Sequence, residues 1–85
     1  PRDAMTVRVL FFSVLKDITG TDEVPVNCGE GSTMGALLET LFERWPGLRA
    51  WDGSLLLAVD QSYVKRDAML HAGAEVAVMP PVQGG

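Results

Sequence analysis

Hydrophobic and polar positions change rhythm along this chain, and each rhythm predicts an element. Val7 to Ser13 reads Val-Arg-Val-Leu-Phe-Phe-Ser, rich in β-branched and aromatic side chains and alternating with the period of a strand. Val14 to Thr19 has room for one helical turn before Gly20, and Glu23 to Asn27 is a second short β-like run. Pro25 lacks a backbone donor, which assigns this second run to the edge of a sheet.

The period then lengthens. After the turn Gly29-Glu30-Gly31, Ser32 or Thr33 can cap a helix that runs to about Trp45 and stops at Pro46-Gly47. Met34, Leu37, Leu38, Leu41 and Trp45 recur at helical spacing and form one apolar stripe, while Glu39, Glu43 and Arg44 lie off it. Gly35 weakens the first turn slightly. A loop with Trp51 and the turn signal Asp52-Gly53 leads to Leu55–Asp60, whose nearly continuous apolar run predicts a well-buried strand. Tyr63-Val64 is a candidate short partner strand, and His71-Ala72-Gly73-Ala74 turns into a last strand from Glu75 to Met79. The stripe of the single long helix can be buried only against one face of a mixed sheet, which makes the predicted fold α+β, a β-grasp.

Composition narrows the functions open to such a domain. With 85 residues, 47% of them hydrophobic, the chain supports one core and no second domain. A formal net charge of −4 argues against nucleic acid, whose binders neutralise phosphates with Lys and Arg. The longest apolar run, Leu55 to Val59, is far below the roughly 20 residues that cross a bilayer. With no signal-peptide pattern at the start, the expectation is a cytoplasmic protein without a membrane partner. Pro1-Arg2-Asp3-Ala4 precedes Met5, a plausible initiator, so residues 1–4 are set aside as a cloning remnant or a short extension, and the domain is read as 5–79.

Catalytic chemistry is hard to find. One cysteine, Cys28, and one histidine, His71, exclude an internal disulfide and a Cys/His zinc set, so no metal is expected. Cys28 lies between Asn27 and Gly29 with Glu30 close by, an acidic setting that disfavours a reactive thiolate. His71 sits beside a glycine turn with no acid identifiable near it, and is read as an exposed turn residue without a role. The glycines before the long helix lack the Lys-Ser/Thr pair of a phosphate-binding loop.

What remains is the end of the chain, Pro80-Pro81-Val82-Gln83-Gly84-Gly85. Two prolines favour a stiff extended stem that cannot prolong the sheet, so residues 80–85 are read as a tail leaving the domain. Six extended residues reach at most about 20 Å, enough to enter a partner's pocket. Two glycines without side chains pass a narrow channel and present the Gly85 carboxylate unshielded. A carboxylate resists nucleophiles until it is activated, so the chemistry requires a partner that adenylates it with ATP.

These residues resemble a known family. Val7-Arg8-Val9-Leu10-Phe11-Phe12, Leu57-Ala58-Val59-Asp60-Gln61-Ser62-Tyr63-Val64 and Gly73 through Gly85 look like the molybdopterin synthase small-subunit family, MoaD, which are ubiquitin-like sulfur carriers. Gln83 stands where that family usually has Ser or Thr, and Ala74 where it often has Asp. The resemblance implies that Gly85 is adenylated by an E1-like, MoeB-like enzyme and converted to a thiocarboxylate. The tail, Pro80 to Gly84 leading Gly85, would then enter a MoaE-like large subunit of a heterotetrameric synthase. There it would donate sulfur to cyclic pyranopterin monophosphate in molybdenum cofactor biosynthesis. The catalytic side chains would belong to that large subunit, and this chain would bind no cofactor, ATP being used by the activating enzyme. An acidic carrier is poorly suited to hold an anionic pterin phosphate, so a basic pocket would come from the partner.

Strand parity suggests where the partner docks. Arg8, Leu10 and Phe12 share one face, and Arg8 marks it as the face away from the helix. Glu75, Ala77 and Met79 share a face likewise, so Phe12 and Met79 form a candidate apolar docking patch, which Tyr63 joins through the family resemblance. Rival readings are a carrier for thiamine synthesis or tRNA thiolation, a protein modifier joined to lysines, and a non-covalent binding module.

Overall fold

A computed structural model of the chain describes residues 4–81. Strand β1 spans Ala4–Phe11 and is followed by the short helix α1, Val14–Thr19, and by β2, Glu23–Gly29. The main helix α2 is Met34–Arg44; a 3₁₀ helix covers Pro46–Ser54; then come β3, Leu56–Val59, β4, Ser62–Tyr63, and β5, Glu75–Met79. The five strands form one sheet in the order β2-β1-β5-β3-β4. Its centre is the parallel pair β1 and β5, and the remaining pairings are antiparallel.

Alternation along β1 decides which side faces the helix. Met5, Val7, Val9 and Phe11 are buried, as are Val76 and Val78 of β5. They meet Met34, Leu37, Leu38, Leu41 and Phe42 of α2, and none of those five retains exposed surface. The apolar stripe is therefore as predicted with one change: Phe42 occupies the core position that spacing alone gave to Trp45. Trp45 ends the helix half-buried, its ring set edge-on to Phe11 with centroids 5.4 Å apart. Among the described residues no polar or charged side chain is buried.

Pro25 lies opposite Arg8 on β2, which is an edge strand as expected. Thr33 caps α2, its hydroxyl accepting from the Ala36 N–H at 3.2 Å. The irregular segment between β4 and β5 then folds over the helix start, where the Met34 and Gly35 N–H groups donate to the carbonyls of Ala68 and Arg66, each at 2.8 Å. Gly35 eases this approach, since a Cβ there would stand a tight 3.3 Å from the Arg66 carbonyl oxygen.

Several expectations need correcting. β1 begins at Ala4, paired with Gly29, so the segment set aside as 1–4 contributes a strand residue. Asp60 leaves β3 and, with Gln61, makes a two-residue turn in which both have positive φ, 50° and 73°. The stretch read as a loop around Trp51 is the 3₁₀ helix. Its period of three places Leu48 and Trp51 on one side, with Leu48 fully in the core and Trp51 at its margin.

Candidate functional site

The face of the sheet away from α2 is built by the residues between the core positions. Register aligns Leu10 of β1 with Ala77 of β5, Ala77 with Ala58 of β3, and Ala58 with Tyr63 of β4. Two alanines thus floor a shallow groove of about 220 Å³, with Leu10 and Phe12 on one side, Tyr63 on the other and Met79 at one end. Phe12 is 42% exposed and Tyr63 76%, large apolar surface for so small a protein. Strand β1 ends at Phe11, short of the expected Ser13, so Phe12 is exposed just past the strand rather than within it, while Met79 is half-buried and Tyr63 lies on the same groove.

The opposite end of this face is charged. Arg8 lies between Glu23 and Glu75, 3.2 Å from each, with all three side chains substantially exposed. Exposed pairs of this kind add little stability. Their effect is to leave an acidic margin around a guanidinium already engaged.

Beyond the groove, β5 ends at Met79 and the chain continues into Pro80 and Pro81. A second depression of about 510 Å³ surrounds this root, lined by Phe12, Ser13, Val14, Trp51, Met79, Pro80 and Pro81. Val82, Gln83, Gly84 and Gly85 lie outside the described residues. The contribution of Val14 and Trp51 was not anticipated. Val14 looked like part of a short helix and Trp51 like part of a loop, and only the i, i+3 pairing of Leu48 with Trp51 could have hinted at an oriented side chain.

The remaining chemical candidates separate clearly. The Cys28 thiol is pushed up by burial, only partly offset by its hydrogen bond with Ser32, which makes it a poor nucleophile at neutral pH. The helix start after Gly29-Glu30-Gly31 has no use as an anion site, because Ala68, Arg66 and Thr33 already occupy its N–H groups. His71 is exposed as expected but does have an acidic partner: its Nε2 lies 2.6 Å from Asp60 Oδ2. The hydrogen bond to Asp60 raises the His71 pKa, helped by the Ala72 carbonyl. Asp60 is held low first by the Glu75 N–H it accepts at 3.0 Å and then by His71. Among the described residues no three His, Cys, Asp or Glu side chains gather as metal ligands, and no helix is long and apolar enough to cross a membrane.

Comparison with known proteins agrees with this geometry. Residues 9–85 match the model of the ThiS family. The chain is 40% identical over 82 residues to the molybdopterin synthase sulfur carrier subunit of Escherichia coli, with 93% of this chain and 99% of that protein covered. A solved structure of a putative molybdopterin converting factor subunit 1 from Pyrococcus furiosus superposes with a TM-score of 0.84 at 28% identity, covering 92% of this chain and 99% of that one. SAMP1 from Haloferax volcanii superposes at 0.82 with 26% identity, covering 94% and 99%.

Proposed function

This chain belongs to the ThiS family, and from that membership we propose that it is the sulfur-carrier subunit of a molybdopterin synthase. The observation that carries the reading is the 40% identity to the Escherichia coli carrier over essentially that protein's full length. The arrangement of the chain end supports it. The central strand β5 hands the chain to Pro80-Pro81 beside an apolar face, and the sequence finishes four residues later in Gly84-Gly85.

The chemistry belongs to the Gly85 carboxylate. An E1-like adenylating partner joins it to AMP from ATP with release of pyrophosphate. A sulfur nucleophile then displaces AMP and leaves a thiocarboxylate. The tail enters the large subunit, its sulfur bonds to cyclic pyranopterin monophosphate, and water then cleaves the acyl C–S bond, leaving the sulfur on the pterin and regenerating the carboxylate. The carrier supplies no catalytic side chain and no bound cofactor. Its net charge of −4 fits a division in which the large subunit holds the phosphate in a basic pocket. Phe12, Tyr63 and Met79 dock on that subunit, which seats the root of the tail, Pro80 and Pro81, at the mouth of its channel. The cytoplasm supplies both ATP and the pterin precursor.

The test is intact-mass measurement of the full chain after incubation with the adenylating enzyme, ATP and a sulfur source, followed by the large subunit and the pterin precursor. One C-terminal oxygen should be replaced by sulfur, and the replacement should revert as molybdopterin forms. Sulfur delivered instead to a thiazole precursor or to tRNA would assign another pathway. Conjugates to target lysines would assign a protein modifier.

A further inference from the structure

The depression at the root of the tail is walled on one side by the tail itself, through Pro80 and Pro81, and on the other by Val14 and Trp51. None of its lining residues is charged, and Phe12 and Met79 line both it and the groove on the open sheet face. Phe12 and Met79 thus join the two depressions around the point where the chain leaves the sheet, although Gln61 and Glu75 also line the groove. Val14 opens α1 with its side chain 39% exposed, at a position where helix geometry asks for nothing apolar. The 3₁₀ helix lies close to α1, since a Cβ on Gly47 would stand 3.1 Å from Ile18 Cγ2.

We propose that Val14 and Trp51 form a second docking wall, which receives an apolar segment from the rim of the large subunit's tail channel. This rests on the reading of the chain as a carrier whose tail enters that subunit. A channel that swallows residues 82–85 must begin against the stem. The stem is one wall of the depression, so the rim of the channel comes to lie inside it. The absence of charge in the lining requires that rim to be apolar, and continuity through Phe12 and Met79 makes the two contacts parts of a single interface. The large subunit thus grips the root of the tail from two sides, and Trp51 sets the angle at which the tail enters.

Calorimetric titration of the full chain with the large subunit tests this with four variants. Trp51→Ala and Val14→Asp should each weaken binding at least about tenfold, and Trp51→Phe should restore most of the affinity. Val14→Asp adds an acidic residue to a helix first turn, where it is tolerated, so it keeps the test valid if Trp51→Ala unfolds. Sulfur transfer by Trp51→Ala should show a raised KM for the carrier with kcat little changed. In a Trp45→Phe background Trp51 is the only tryptophan, and its emission should shift to the blue on binding. Phe12→Asp separates the two readings: weakening by Phe12→Asp alone overturns the second wall, whereas no effect of any variant overturns the docking assignment as a whole. Self-association of the free chain that Trp51→Ala abolishes would give the depression to a second copy and overturn the proposal. So would a small molecule that fills it without competing with the large subunit.

Discussion

On one face of the sheet, Val7, Val9, Phe11, Val76 and Val78 lie beneath α2 with at most 1% of their surface exposed. One residue along the same strands, Leu10, Ala77 and Met79 are half-buried, and Phe12, just past the end of β1, is exposed. Both sets are apolar, and they differ in what covers them. The first is covered by this chain and contributes to stability. The second is only partly covered by this chain, and its exposed apolar surface suits the partner contact proposed above. The tail belongs to neither set, because it leaves the sheet at the end of β5. On the proposed function, stability, docking and chemistry fall to three places that substitutions can address separately.

The largest effect should come from the tail. Deleting Gly85, or adding one residue after it, moves the reactive carbon by about 3.5 Å, beyond what a near-attack geometry tolerates. Thiocarboxylate formation and pterin sulfuration should both be abolished, while melting stays within roughly 0.5 kcal/mol of the parent. Full sulfuration by the truncated chain would break the assignment of chemistry to the tail.

The covered face should give the next largest effect. Phe42 has no exposed surface, and Phe42→Ala should cost about 3–5 kcal/mol through lost burial and the cavity left behind. Chemical denaturation measures this directly. A cost as small as that of an exposed site would mean that the core can collapse around the gap.

Much of this contrast was readable before any coordinates. Arg8 between Val7 and Val9 identifies both faces of β1, because a strand has only two and Arg8 labels the wet one. Pro25 and Thr33 act through their own backbone or the adjacent turn, so the edge strand and the helix cap were also legible. The features that escaped depend on contacts between distant segments. Phe42 is a local exception, since it stands at i+8 of the stripe that Met34 begins, and Trp45 lies past the helix end at Arg44. His71 meets Asp60 because the β3–β4 turn and the approach to β5 converge, which no local spacing records. Trp51 reaches the root of the tail for the same reason.

The open face should respond in binding and not in folding. Phe12→Asp or Met79→Asp places an unpaired charge in an apolar interface and should weaken large-subunit binding by on the order of 2 kcal/mol or more. The Phe12→Asp melting curve should remain near that of the parent, since Phe12 is already 42% exposed, while half-buried Met79 should lose somewhat more on Met79→Asp. Unchanged affinity in both variants would remove the open face as a docking surface and leave its exposure unexplained.

The smallest effect concerns the exposed pair of His71 and Asp60, which lies on neither apolar set. His71 is raised above its ordinary value, chiefly by the hydrogen bond to Asp60, so its contribution to stability is complete below about pH 6.5 and is lost as pH rises through the folded value. Asp60 is lowered, chiefly by the Glu75 N–H, so its contribution is complete above about pH 3.9 and is lost as pH falls through the folded value. The pair therefore supports the fold most between those ordinary values. His71→Gln should melt slightly below the parent in that window, and the two curves should converge in mildly alkaline buffer. Both side chains are more than half exposed, so the difference should sit near the limit of detection and shrink further in high salt. Asp60→Asn should lose more than His71→Gln, because the Asp60 carboxylate also accepts from Glu75 and anchors the turn to β5. Affinity for the large subunit should be unaffected by His71→Gln at any pH. A binding defect there would carry the docking surface past Glu75 toward the β3–β4 turn, and the boundary between the apolar face and its acidic margin would have to be redrawn.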